Sequence, residues 1–135
     1  MRTLLCIVFF LFTSSALAAD FVPGIAAGNA GKIADPNENK FTVYCIPAGT
    51  KPDAVLKDVR MSLAQAAQEK ANLAIIGPDY ALNAAILKAA LQGAPKAILQ
   101  GATILLVNGG EDTQDLNAAA ALASAAFRAT PYSAN

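Results

Sequence analysis

Two groups of side chains in this sequence have the types and spacing to do chemistry. The first is Cys45, with Gly49, Thr50 and Lys51 following it. A cysteine at a strand end just before a helix start can carry a lowered pKa, because the helix N-terminus favours the thiolate. The spacing Cys45 to Lys51 loosely echoes the anion loops of phosphatases and rhodaneses, in which the basic residue is arginine. The competing reading is that Cys45 is a small buried hydrophobe, and Pro47 removes one of the backbone donors such a loop needs. The second group is the carboxylates Asp53, Asp79, Glu111, Asp112 and Asp115. Clustered carboxylates suit Mg²⁺ or Ca²⁺, and they argue against a phosphate or nucleotide beside them. Each also stands where a helix opens, and capping and the helix dipole favour Asp and Glu there without any ligand.

Other chemistries are removed by what the chain lacks. Its 135 residues contain no His, so neither a Ser-His-Asp nor a Cys-His arrangement can be built. There is no G-x-G-x-x-G, no G-x-x-x-x-G-K-[ST], no H-E-x-x-H, no C-x-x-C and no D-x-[DN]-x-[DN]-G loop. Ten basic residues balance ten acidic ones, which is not the footprint of a nucleic-acid binder. No cofactor is indicated, and the expected role is non-catalytic.

The elements that must position these groups are regular from Phe41 onward. Phe41 to Ile46 is β-branched and aromatic, Leu73 to Ile76 is a short apolar run, and Thr103 to Val107 is a continuous one. Each is followed by Gly or Pro and then by helical spacing. In the first helix Thr50 is placed as the cap with Asp53 three residues on, and Val55, Leu56, Val59, Leu63, Ala66 and Ala67 recur at helical intervals. The second opens at Gly77-Pro78-Asp79 and stops at Gly93. The third follows Asn108-Gly109-Gly110, with Leu116, Ala120, Ala123 and Phe127 on one stripe. The strand ends Ile46, Ile76 and Val107 lie 30 and 31 residues apart, the length of a β-α repeat. The expected fold is therefore α/β, a small three-stranded parallel sheet built from three β-α repeats. The alternative is a mainly α-helical domain in which Leu73 to Ile76 only connects two helices. In the α/β arrangement the carboxylates fall near the carboxyl ends of the strands, where open α/β sheets bind ligands at a topological switch point.

Alanine is abundant, 29 of the 117 residues from Ala19 onward. This fits helix propensity and close approach of thin helices to a sheet. In the second helix Leu82, Ala85, Ile86 and Ala89 form one apolar face, and Tyr80, Ala84, Leu87 and Leu91 another. A helix apolar on two faces must be covered on both. Tyr80, Leu87 and Leu91 are accordingly expected at an interface, with a protein partner or with a second copy in a homo-oligomer.

Residues 1–19 read as an address. Arg2 precedes the apolar run Leu4 to Phe12, Thr13 to Ser15 turn polar, and Ala16-Leu17-Ala18 has the form of a signal-peptidase site. Cleavage is expected after Ala18 or Ala19, with export to the periplasm or beyond. The nine-residue run is too short to span a bilayer, and no span is expected in the mature chain. Without residues 1–19 the chain keeps nine basic and ten acidic residues and a single cysteine, so no internal disulfide can form. Residues 20–40, rich in Gly, Asn and Pro, read as a flexible leader whose Phe21, Val22, Ile25 and Ile33 can dock on the domain or on a partner. Residues 41–130 form the single domain and 131–135 a C-terminal tail.

Around the cysteine, Tyr44-Cys45-Ile46-Pro47-Ala48-Gly49, then Val55, Val59 and Leu63, then Ala81-Leu82 and Ala90-Leu91, the chain resembles the type VI secretion amidase-immunity (Tai-like) proteins. The resemblance covers about a third of the chain. It implies a small periplasmic, helical, cysteine-paired protein that blocks a cell-wall amidase.

Overall fold

The computed structural model of the chain describes residues 3–7, 21–95 and 97–134. The address read at residues 1–19 lies outside the described residues, apart from Thr3–Ile7. The elements run β1 (Thr3–Ile7), α1 (Pro23–Ile33), β2 (Lys40–Cys45), α2 (Pro52–Glu69), β3 (Asn72–Ile76), α3 (Tyr80–Gln92), β4 (Thr103–Asn108), α4 (Gln114–Leu122) and β5 (Ala126–Pro131). The fold is α/β with a parallel sheet in the order β1-β2-β3-β4-β5. Every residue of β3 and β4 is buried, as expected of strands covered on both faces. Leu73 to Ile76 is thus a strand, and the mainly helical alternative is overturned.

The sheet is wider than three strands because Thr3–Ile7 and the segment read as the end of the third helix, Ala126–Pro131, both pair into it, while the segment read as leader joins the fold as a helix. The Leu116 stripe ends with α4 at Leu122. Ser124 then adopts a left-handed conformation (φ 65°), the Ala125 amide closes onto Ala120 O, and Phe127 falls on β5. Residues 23–33 form helix α1, in which Pro23 sits in the first turn and Ala26 and Ala30 are fully buried. Three glycines give this helix poor intrinsic propensity. It exists because it packs on the sheet, with Phe21 ahead of it and its own Ile33 packed against the same cluster.

The two faces are covered differently. On one, α2, α3 and α4 bury Tyr44, Ile46, Leu73, Ile75, Ile104 and Leu106. On the other, α1 is the one helix among the described residues, and it crosses β2 to β5 over Phe41, Val43, Ala74, Ile76, Leu105 and Val107. The units β2-α2-β3, β3-α3-β4 and β4-α4-β5 all step the same way with their helices on the same face, so they share one hand, right-handed by the crossover rule. Because α1 lies on the opposite face, the β1-α1-β2 connection has the other hand. β1 thus stands outside the repeating series.

The C-terminal tail is tied down. The Tyr132 amide extends the β5 ladder onto Asn108 O, the Tyr132 hydroxyl accepts from the Val22 amide at 3.0 Å, and its ring meets Phe21 at 5.3 Å. Asn29, buried on α1, grips Ser133 with both ends of its amide: Nδ2 donates to Ser133 O at 3.0 Å and Oδ1 accepts from the Ser133 amide at 2.8 Å. Residues 132–133 therefore fasten α1 across the sheet.

Candidate binding cleft

At the carboxyl ends of β2, β3 and β4 the connecting loops enclose an open cleft of about 410 Å³, lined by Ala48, Pro78, Asp79, Tyr80, Ala81 and Glu111. Its geometry starts from two glycines. A Cβ on Gly77 would overlap the Ile46 carbonyl oxygen and stand 2.8 Å from Asn83 Oδ1, so the chain can leave β3 here only as glycine. A Cβ on Gly109 would lie 2.8 Å from Glu111 Oε1 and 3.0 Å from the Tyr80 ring, so that glycine lets the ring and the carboxylate meet over the end of β4. Asn83, fully buried in the first turns of α3, donates from Nδ2 to Gly77 O at 3.0 Å and holds the loop from below. Its Oδ1 has no hydrogen-bond donor among the described residues and lies against Gly77.

The carboxylates divide according to their backbone contacts. Asp79 caps α3, accepting from the Leu82 amide at 3.0 Å. Glu111 Oε2 accepts from the Gly109 amide at 3.0 Å, and Asp112 Oδ1 from the Gln114 amide at 3.0 Å. Asp115 stands in the first turn of α4, 3.5 Å from Lys88 in an exposed pair. Asp53 stands in the first turn of α2. Of the five, only Asp79 and Glu111 line the cleft. Among the described residues no three of His, Cys, Asp and Glu come together as a metal site. The strand order also contains no reversal among β2 to β5, so the switch-point crevice expected from sequence is absent from that part of the sheet. Adding millimolar Ca²⁺ or Mg²⁺ is expected to leave the melting temperature unchanged, as checked by differential scanning fluorimetry.

The remaining candidates move as well. Cys45 is buried in the cluster on the α1 side of the sheet, whereas α2 packs on the other side with Tyr44 and Ile46. The pleat of β2 thus separates the thiol from the helix start that was to activate it, and burial is not the setting of a reactive thiolate. Thr50 does not cap α2. Its hydroxyl donates to Pro47 O, and Lys51 holds the cap position with no side-chain bond. Leu87 and Leu91 are 0% and 3% exposed inside the chain's own core, because α2 and α4 flank α3. The two-faced helix is therefore covered by this chain, and neither leucine is available to a partner. Tyr80 alone of that trio reaches the surface, at the cleft. Sequence reasoning did not reach Tyr132, and nothing in its local pattern marks it.

Burial, the neighbouring Tyr132 and the charge of Glu111, in that order, push the Tyr80 phenol above its ordinary value of 10. A raised pKa in the fold means that this phenol costs no stability below pH 10 and disfavours the folded state only as alkaline pH ionises it. Difference titration at 295 nm against Tyr80→Phe should place Tyr80 above 10, and Glu111→Gln should bring it down. The cap gives a further expectation: Asp79→Ala should cost about 1 kcal/mol in urea melts, and Asp115→Ala much less because its ion pair is exposed.

Compared with protein-family models, with curated proteins and with solved structures, the chain matches none.

Proposed function

We propose that this is an exported, non-catalytic protein that works by contact with another protein, and that the cleft at the carboxyl ends of β2, β3 and β4 is its contact surface. The observation that carries this reading is the cleft itself: Asp79 and Glu111 on its walls, the Tyr80 ring beside them, and no cationic side chain lining it. Each carboxylate spends acceptor capacity on one backbone amide and keeps the rest for a partner. A basic side chain entering here meets two negative charges and an aromatic ring, a combination that binds ammonium or guanidinium groups. Export is supported by the n-region, the apolar run and the Ala16-Leu17-Ala18 site.

An inhibitor or immunity-type binder that blocks a cell-wall amidase is the specific version that the resemblance suggests. Its helical fold is not the fold described above, so that version stands on the Tyr44 to Gly49 pattern alone. The test is retrieval of a partner from envelope extracts by the processed chain, repeated with Glu111→Lys and with Tyr80→Ala. A partner whose binding falls by about tenfold or more in both variants supports the cleft. A partner indifferent to both variants overturns the assignment of the surface. Light scattering on the same preparations tests the homo-oligomer, for which the α3 faces no longer argue. A small-ligand site is the second reading, favoured by the cleft's volume, which lies in the usual range for ligand pockets. Stabilisation of the isolated protein by small primary amines would select it.

A further inference from the structure

Parallel pairing makes the two edges of β2 distinguishable. The Ile46 amide bonds to Ile76 O, so by alternation Thr42 and Tyr44 bond β3, while Phe41 and Val43 face outward. On that outer edge Thr3–Ile7 lies parallel, in the register Thr3↔Lys40 to Ile7↔Tyr44. The opposite edge of the sheet is protected. The amides of β5 that bond β4 include Ala126 and, beyond the strand end, Tyr132, so the outward positions are Phe127, Ala129 and Pro131. Pro131 has no amide to offer, and exposed Arg128 sits mid-strand. These are the devices by which natural sheets blunt an edge. Between Phe41 and Cys45, β2 contains no proline and no charge. An edge of that kind is ordinarily covered, and its cover here is Thr3–Ile7.

We propose that the outer edge of β2 is a second docking site, which takes an extended apolar segment of a partner protein as an added parallel strand. The proposal rests on the removal of residues 1–19. Thr3–Ile7 shows the kind of occupant that fits, five residues without charge or proline in parallel register. Backbone pairing supplies affinity in strand addition, and the alternating side chains supply selectivity.

The test uses the chain recovered after export, with its mass reporting whether residues 1–19 are gone. The probe is a peptide of residues 3–7 carrying Cys6→Ser and flanked by lysines, read by residue-resolved amide exchange. The expected result is that the peptide slows exchange at Phe41 and Val43 by about tenfold and leaves Thr42 and Tyr44 unchanged. The same peptide with proline at both Leu4 and Leu5 should have no effect. Unaltered exchange at Phe41 and Val43 overturns the docking site and leaves the export reading intact. A mass that retains residues 1–19 overturns the export reading, and the docking site with it, because the edge is then filled by the chain itself. A concentration-dependent dimer that protects the same two amides without peptide overturns the assigned occupant in favour of a second copy.

Discussion

Gly77→Ala is expected to lower the stability of the protein by roughly 3 kcal/mol, the upper end for overpacking a close-packed site. The added methyl group would collide with a backbone oxygen, Ile46 O, which belongs to the β2 exit and cannot rotate away as a side-chain tip can. Relief requires β2 and β3 to separate at their carboxyl ends or Asn83 to give up its bond to Gly77 O, and either change spreads the floor of the cleft. Urea melts should show a lower midpoint with an unchanged slope. Gly28→Ala is the control. It lies inside α1 with nothing within 4 Å of the added atom, and should raise stability by about 0.5–1 kcal/mol through helix propensity alone. If both substitutions prove neutral, the close contact at the β3 exit is not what shapes the loop.

Removing residues 132–135 is expected to have an effect of similar size, about 3 kcal/mol. Two side-chain bonds between Asn29 and Ser133, the Tyr132 bond to Asn108 O, the hydroxyl bond to Val22 and the Phe21 ring contact are lost together. Each hydrogen bond contributes about 1 kcal/mol when its partners are satisfied, and the aromatic pair somewhat less. Asn29 suffers most, because both ends of its amide are left without partners at a position only 7% exposed. Hydrogen exchange should locate the loss in α1 first, with the amides of α2 to α4 responding only to the global change. Asn29→Ala should reproduce only part of this effect, because the Tyr132 bonds and its ring contact with Phe21 remain. Uniform acceleration across all helices would mean that the tail stabilises the whole sheet rather than α1.

The contrast between what was legible and what was not follows from where the stabilising contacts lie. The units from Phe41 to Val107 were readable because buried parallel strands are continuous apolar runs, and because Asp79 and Gly93 bound α3 as cap and stop signals. α1 was unreadable because its stability comes from the sheet beneath Ala26 and Ala30, eleven or more residues away in sequence, and from its anchor at Ser133, more than a hundred residues away. β5 was mistaken for the end of a helix because Phe127 continues the Leu116, Ala120 and Ala123 spacing, and the break at Ser124 is a left-handed residue that is not glycine. The cleft was half visible. Asp79 and Glu111 stand just beyond the ends of β3 and β4, as their spacing predicts. Asp112 and Asp115, expected there by the same spacing, serve a helix start and an exposed pair instead. The Tyr80, Leu87 and Leu91 stripe failed at two of its three positions because helical spacing cannot tell a flanking helix from a foreign protein.

Because consecutive strands are also spatial neighbours from β2 to β5, most of the molecule can assemble progressively, each new unit laid against the one just made. α1 is the exception, for it is emitted early and finds its clasp only when the last few residues arrive. A nascent chain therefore waits with the oily underside of its sheet uncovered until synthesis is complete. During that interval the uncovered apolar surface is prone to aggregation, and any mutation that delays the closing clasp lengthens the exposure.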